Sequence, residues 1–568
     1  MKKRCLFWGV LLIFGSYTYG QDLGETYISE WKKFYPSKAE RSGMHDAIFS
    51  YENLAAPNVE QWLAFNKETL HRLSQDDTKV DRLDARLLRV QAQSEIDRYE
   101  TLEKHRNSLQ LYSHLISNAM PHVSKADYLL APEKSSLFCE RLEAITQLAL
   151  AAKTNLSDVP KVDLERGLKE VSATLAFLGK DWIESRQGIA PARCAKRKEI
   201  ALQTLQELKT FAEELLQNAK SSEPVLGPAE YNRQLQLYTD SDITSQQLEA
   251  MALAEIDTVK SMMTTVAKAY LKITYPNTPL PDTELDILKK ALADMEKDAP
   301  LNSADYLQFW QQLATAAVDF IEENAIVTLP KTNTLQIRTA PESAGPAARI
   351  GWVASAPPFA PNPITILYLP SIPETLPKQE QIDFWASFNK PFNRMIVIHE
   401  LYPGHYTQLK ISRTTPHPVR LLFPYGIYIE GWATLTERVL LDAGWEKGNH
   451  LTFLAHLRKR LENANRSYTS VQVHCNGWNQ EQVLQFSTET ALLAPQFAKS
   501  LWGRIMNSPM QLTSYFLGAT AFSELLRYEK ERLGEKFNLK FFMDTVMKAG
   551  AIPIDEFYTI FKQMQPTG

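Results

Sequence analysis

The stretch Ile396–Gln408, IVIHELYPGHYTQ, decides how the chain is read. The apolar run Met395–Ile398 leads into His399-Glu400, as a metal-binding helix of the HExxH kind begins. In that pattern the second histidine stands four residues on, on the same helical face. Here Pro403 holds that position and the next histidine is His405, six residues after His399. Six steps of about 100° carry His405 roughly 240° round the axis, so an unbroken helix cannot bring both imidazoles to one ion. Pro403 has no N–H and leaves the His399 carbonyl without its helical partner. Gly404 is free to widen the turn. The pair predicts a local distortion that swings His405 back toward His399.

Working outward, helical periodicity dominates. Asp84–Ile116 contains neither Gly nor Pro, Thr244 and Gln247 have capping-box spacing before a long amphipathic run, and Ser303 is placed to cap another. The expected fold is therefore mainly α, a large helical assembly. Thr328 to about Glu374 breaks the pattern, being rich in Pro, Thr and β-branched residues. TLQIRT and ITILYL there predict short strands of a small sheet over 331–375, and ITILYL is expected as an edge that could bind substrate backbone. The predicted organisation is a leader over 1–20, an N-terminal helical lobe over 21–330, and a site-bearing half over 331–568.

The leader reading rests on MKKR, the apolar run CLFWGVLLIFG and the small residues before Gln21. It is too short to span a bilayer, and no other segment is apolar enough, so the expectation is an exported protein, periplasmic or secreted, without stable membrane insertion. Loss of Lys2, Lys3 and Arg4 takes the formal net charge from −4 to −7. A mildly acidic chain without a basic cluster argues against nucleic acid as a partner. Cys139, Cys194 and Cys475 remain. Two readings stay open: a Cys139–Cys194 disulfide with one free thiol, or three buried thiols.

A catalytic zinc ion takes about three protein ligands and keeps one position open. His399 and His405 supply two. Glu430, 25 residues after His405, is the candidate third. Glu437 follows on the same face and suits a carboxylate hydrogen-bonded behind a ligand histidine. Glu400 is the expected general base toward a metal-activated water. His474, in VQVHCNGW, is a candidate for binding oxyanion or substrate. Arg504 and Arg527 are cationic candidates for a substrate carboxylate, and Tyr402 beside the breaker is a candidate cleft residue.

These residues resemble a bacterial family catalogued as domain of unknown function 885, whose marks are HExxPGH and EGWA segments; here they stand as HELYPGH from His399 and EGWA from Glu430. SPMQLTSYFLG, Ser508–Gly518, is similar to the family's PxQxxxYxxG. The resemblance implies a zinc peptidase, similar at a distance to all-helical gluzincin-like enzymes with a deep cleft between helical lobes. It implies one Zn2+, a peptide substrate and Tyr515 as donor to the oxyanion. Ser470 stands where the family often has an aspartate, and WNQEQ lacks an arginine often found just after Trp478; these departures leave the proposed ligands untouched and bear on the groups behind them or on substrate preference. Two other classes fit the same residues: a metallohydrolase of another amide or ester, and a catalytically inactive peptide-binding protein.

Overall fold

The computed structural model describes residues 22–75, 79–180, 191–219, 225–331, 334–361, 363–493 and 495–564. The expected leader lies outside them. The chain is 74% helical, with a small three-stranded sheet between residues 335 and 369, so the mainly α expectation holds.

The helices form where caps and apolar stripes coincide. In Ser245–Thr274, Thr244 Oγ1 accepts from Gln247 N–H at 3.2 Å and Gln247 Oε1 accepts from Thr244 N–H at 2.9 Å, the reciprocal box the spacing predicts. Its buried residues Leu248, Ala252, Ile256, Val259, Met263, Ala267 and Leu271 recur every three or four positions. That stripe packs along the long helix His450–Asn476, the most extensive helix pair in the molecule. The helix Ser303–Glu323 is capped one residue earlier than expected: Asn302 Oδ1 accepts from Ala304 and Asp305 N–H.

The run from Asp84 to Ile116 is not one helix. Arg82–Ile96 passes into a wide turn at Asp97–Thr101, Glu103 takes left-handed backbone with φ 43°, a single helical turn follows at Lys104–Asn107, and a longer helix starts at Leu109 under a Ser108 cap. The turn is held from outside: Asp97 is ion-paired to Arg233, and the Tyr99 hydroxyl lies 3.0 Å from that of Tyr35. Tertiary contacts outweigh local propensity there.

In the sheet, β1 (Leu335–Thr339), β2 (Trp352–Ala354) and β3 (Thr365–Leu369) lie in the order β1-β3-β2. β3 is parallel to β1 and antiparallel to β2. This corrects the reading of ITILYL as an edge: both sides of β3 are paired, and its alternate residues Thr365, Leu367 and Leu369 are buried. The sheet reaches the site through Thr334, just before β1. Its N–H donates to the Tyr406 hydroxyl at 3.1 Å, and its hydroxyl accepts from Lys410 Nζ at 2.7 Å.

Two large cores hold the chain. The buried residues of one lie between Ile48 and Ala212. Within it a Cys139–Cys194 disulfide joins the helices Ala131–Asn155 and Pro191–Asn218, which decides between the two cysteine readings; Cys475 is a free, half-buried thiol. The other core runs from Leu23 to Phe561, taking residues from both sides of position 330 and including Val397, Ile398 and Leu401 beside the HELYPGH turn.

Candidate metal centre

The helix Lys390–Glu400 starts under Asn389, whose Oδ1 accepts from Phe392 N–H at 3.0 Å. It ends where the two breaker residues require. Leu401 N–H still reaches Val397 O at 2.9 Å, but Gly404 N–H donates to Ile398 O, six residues back, at 3.0 Å. The Tyr402–Pro403 peptide is cis. Helix resumes as His405–Ser412, with Thr407 N–H and Oγ1 both donating to Leu401 O. At Gly404 a Cβ would sit 1.9 Å from His399 O and 2.4 Å from Ile398 O, so only glycine allows the backbone this close. Trp432 Nε1–H donates to Pro403 O at 3.0 Å and fixes the turn to the helix Gly426–Asp442.

The distortion brings the two imidazoles together. Their ring centroids are 4.8 Å apart and their planes nearly perpendicular, at 88°. Glu430 Oε2 lies 3.4 Å from His405 Nε2 and 3.7 Å from His399 Nε2. One ligand atom from each of the three residues falls within 4.8 Å of the other two. Glu430 and Glu437, two turns apart on one face, do different jobs. Fully buried Glu437 takes His399 Nδ1–H on Oε1 at 2.8 Å and His456 Nδ1–H on Oε2 at 2.9 Å.

The charges fit a cation. Burial alone would neutralise Glu437, yet His399 and His456 hold it down at about 2, and His399 and His405 likewise hold Glu430 well below its ordinary value. Burial opposes a charge on His399, but Glu430 and Glu437 outweigh it and lift its pKa to about 10. Glu430 Oε2 is buried with no hydrogen-bond partner, and the Glu437 bond fixes His399 Nδ1 as donor, leaving Nε2 to face Glu430. Two imidazole nitrogens, one carboxylate oxygen and a carboxylate behind the first histidine match the donors zinc takes.

Other expected residues fall at varying removes. Glu400 is half-buried beside His399, and no described residue donates a hydrogen bond to it. The helix Gly426–Asp442 crosses Pro509–Leu533 at backbone contact, since a Cβ on Gly431 would lie 2.6 Å from Gly518 Cα. That crossing sets Glu430 and Tyr515 each within a turn of one point. Burial, then Glu430, keeps the Tyr515 phenol protonated above its usual range. Gln511 Nε2–H donates to the Tyr515 hydroxyl at 3.3 Å and Gln511 Oε1 accepts from Arg504 at 3.4 Å, which ties Arg504 to Tyr515. Tyr515 and Arg527 line a cavity of about 640 Å³ with Thr434, His456, Asn463 and Lys530. Arg527 stands exposed at its rim, paired with Glu531 at 2.9 Å. Tyr402 is buried, edge-on to Tyr406 at 5.5 Å.

His474 is not brought to the cluster. It lies 18 residues beyond His456 on the same helix, about 27 Å along the axis. Both its ring nitrogens are engaged by backbone: Nδ1 accepts from Leu226 N–H at 3.3 Å, and Nε2 lies 3.1 Å from Ile505 O. Ser470, in the aspartate slot, accepts from the Tyr231 hydroxyl at 3.0 Å. A second carboxylate–histidine group, Asp81, Asp84 and His417, surrounds the Arg420 guanidinium, which bonds both aspartates and already supplies the cation.

Sequence reasoning missed the long helix. His456 shares Glu437 with His399, and Lys459, Asn463 and Arg466 continue its face. The available signal was polar residues at steps of three and four within AHLRKRLENANRS.

Fold and site together define a mainly helical protein built round a cluster of two histidines and one glutamate with metal-ligating geometry. The chain belongs to the family described as "Bacterial protein of unknown function (DUF885)", which matches residues 36–558. No curated protein matches it. Among solved structures it is similar to a protein of unknown function from Shewanella oneidensis, described as a candidate lipoprotein: TM-score 0.84 and 20% identity over 96% of this chain and 100% of that one. A second, from Colwellia psychrerythraea and described in the same way, gives TM-score 0.70 and 17% identity over 95% and 98%. These likenesses show a shared fold. Among the described residues no helix is long and apolar enough to cross a membrane.

Proposed function

We propose that this protein is an exported zinc-dependent peptidase that hydrolyses short peptides. The observation that carries the reading is the convergence on one point of His399, His405 and Glu430, whose buried Oε2 faces the two Nε2 atoms at 3.7 and 3.4 Å. Those three residues would hold the ion, and Glu437 would orient His399. Zinc bound there supplies Lewis acidity toward a carbonyl oxygen and lowers the pKa of water. Glu400, half-buried with no competing donor among the described residues, takes a proton from the attacking water and passes it to the leaving amine. Tyr515, kept protonated, donates its phenolic hydrogen to the developing oxyanion. Export is supported by the leader-like first twenty residues and by a disulfide, a bond that persists in oxidising compartments.

The test is Glu400→Gln in zinc-loaded protein. Zinc content should stay at wild-type level while peptide turnover falls about 10²- to 10⁴-fold, the usual worth of a general base. Full activity in that variant would refute the mechanism. Cleavage of esters or non-peptide amides, with peptide libraries left intact, would replace the substrate class.

A further inference from the structure

The long helix His450–Asn476 carries four neighbouring cations with unequal partners. Arg458 is 3.2 Å from Glu296, and Arg460 is 2.7 Å from Glu255, so each has its own carboxylate. Lys459 and Arg466 do not. They share Glu462, which lies 3.4 Å from Lys459 Nζ and is ion-paired to Arg466. Both side chains are largely buried, at 12% and 9% exposure. The other acids close by are committed: Glu437 to two histidines and Glu430 to the ligand cluster. Among the described residues Lys459 and Arg466 thus have one carboxylate in direct contact between them, and burial lowers the pKa of Lys459 although Glu462, Glu437 and Glu430 favour its charge; an arriving anion would relieve that cost.

The donors around it match an anion of a particular kind. Asn463 lies between Lys459 and Arg466 on the same face. Its Oδ1 accepts from Arg466 Nη1 at 3.1 Å, and its Nδ2 is buried with no partner. The Arg466 guanidinium stacks on the Tyr515 ring at 4.8 Å, and of the three side chains Asn463 is the one that lines the cavity reaching His456, together with Tyr515. An ammonium, an amide N–H and a guanidinium, with one acceptor already used, suit a carboxylate.

We propose that the Lys459–Asn463–Arg466 face is the pocket for a substrate carboxylate, placing the hydrolysed bond close to a peptide's free C-terminus. The proposal rests on the peptidase reading for its substrate and on these side chains for its site. Lys459 and Tyr515 both lie near enough to Glu430 to feel its charge, so the pocket stands within the reach of a few extended residues from the ligand cluster. The enzyme would thus release short carboxy-terminal fragments.

The experiment is calorimetric binding to zinc-loaded Glu400→Gln protein, which holds substrate without turning it over. Three probes are compared: an N-acetylated tetrapeptide with a free C-terminus, its C-terminal amide, and an amidated analogue with one internal glutamate. The free acid should bind about 10- to 100-fold more tightly than the amide, the range of a charge-assisted contact. Adding Lys459→Met should bring the acid to the level of the amide while zinc content and melting temperature stay near the parent's. Asn463→Leu, which leaves every charge in place, should lose a smaller share and serves if the lysine variant does not fold. Equal binding of acid and amide, or of neither, overturns the proposal. So does a preference that survives both Lys459→Met and Arg466→Met. Tight binding of the internal-glutamate probe, lost in Lys459→Met, keeps the pocket and assigns it to acidic side chains. A lysine-dependent preference in protein that holds no zinc and cleaves nothing keeps the pocket and removes the peptidase reading.

Discussion

Gly404→Ala tests the structural premise of the site most directly. A Cβ there would lie 1.9 Å from His399 O and 2.4 Å from Ile398 O, whereas real Cβ atoms essentially never come within 3.0 Å of a neighbour. The His399 carbonyl and residue 404 must therefore move apart by about 1.1 Å, on the backbone segment that carries both histidines. Metal sites tolerate ligand displacements of about 0.2 Å. The required shift is roughly five times larger, so the alanine variant should lose zinc affinity by about 100-fold or more. The assay is competition with a fluorescent chelator, with circular dichroism to show that the helical fold persists. The rest of the turn is anchored independently by Trp432 and Thr407, so local damage is expected and global unfolding is not. Wild-type zinc affinity in folded Gly404→Ala would show that the close approach at the breaker does not place the ligands.

Glu437→Gln leaves one amide oxygen to serve two imidazole N–H groups, and metal affinity should fall about 10- to 100-fold, read by the same competition. In metal-free protein the same substitution should also show in stability. Glu437 is held at about 2 against an ordinary 4.5, so its contribution is full above 4.5 and disappears as pH falls through 2. The gap in melting temperature between wild type and variant should be wide at pH 5–7 and close toward pH 2; a gap independent of pH would contradict the assignment. Cys139→Ser opens a link across 55 residues, which chain entropy values at about 4 kcal/mol. Thermal melts should shift down while zinc stoichiometry is kept, because the disulfide lies in the core that excludes the site. Tyr515→Phe should lower turnover number about 10²- to 10³-fold with little change in KM, and an unchanged turnover number would remove the phenol from the reaction.

What could be read from the sequence was what neighbouring residues decide among themselves. Pro403-Gly404 foretold the distortion because a missing N–H and a missing Cβ act within one turn. Thr244 and Gln247 foretold their capping box for the same reason. Glu430 and Glu437 could be paired because two helical turns return to one face. The misreadings arose where distant chain intervened. The helix expected through Asp84–Ile116 breaks where Arg233 and Tyr35 take hold of the turn. ITILYL has the composition of a strand, but its place at the centre of the sheet depends on which segments pair with it, and local pattern carries no such information.

The long helix shows why the second half of the site stayed hidden. AHLRKRLENANRS has the charge density of a solvated helical face, and on a surface each of its ions would contribute almost nothing. Its meaning changes only when Ser245–Thr274, Gly426–Asp442 and Pro509–Leu533 close over it. Arg458 and Arg460 then keep partners of their own, as surface residues do, while Lys459 and Arg466 are left with one carboxylate between them. Within a single turn, identical charges thus divide into structural and available ones. The division is set by burial and by the count of nearby anions, and both are properties of the packed molecule. A lysine that would be ordinary in water becomes, beside His456 and two turns from Arg466, a group that favours an arriving carboxylate because the one carboxylate it contacts among the described residues, Glu462, is shared with Arg466.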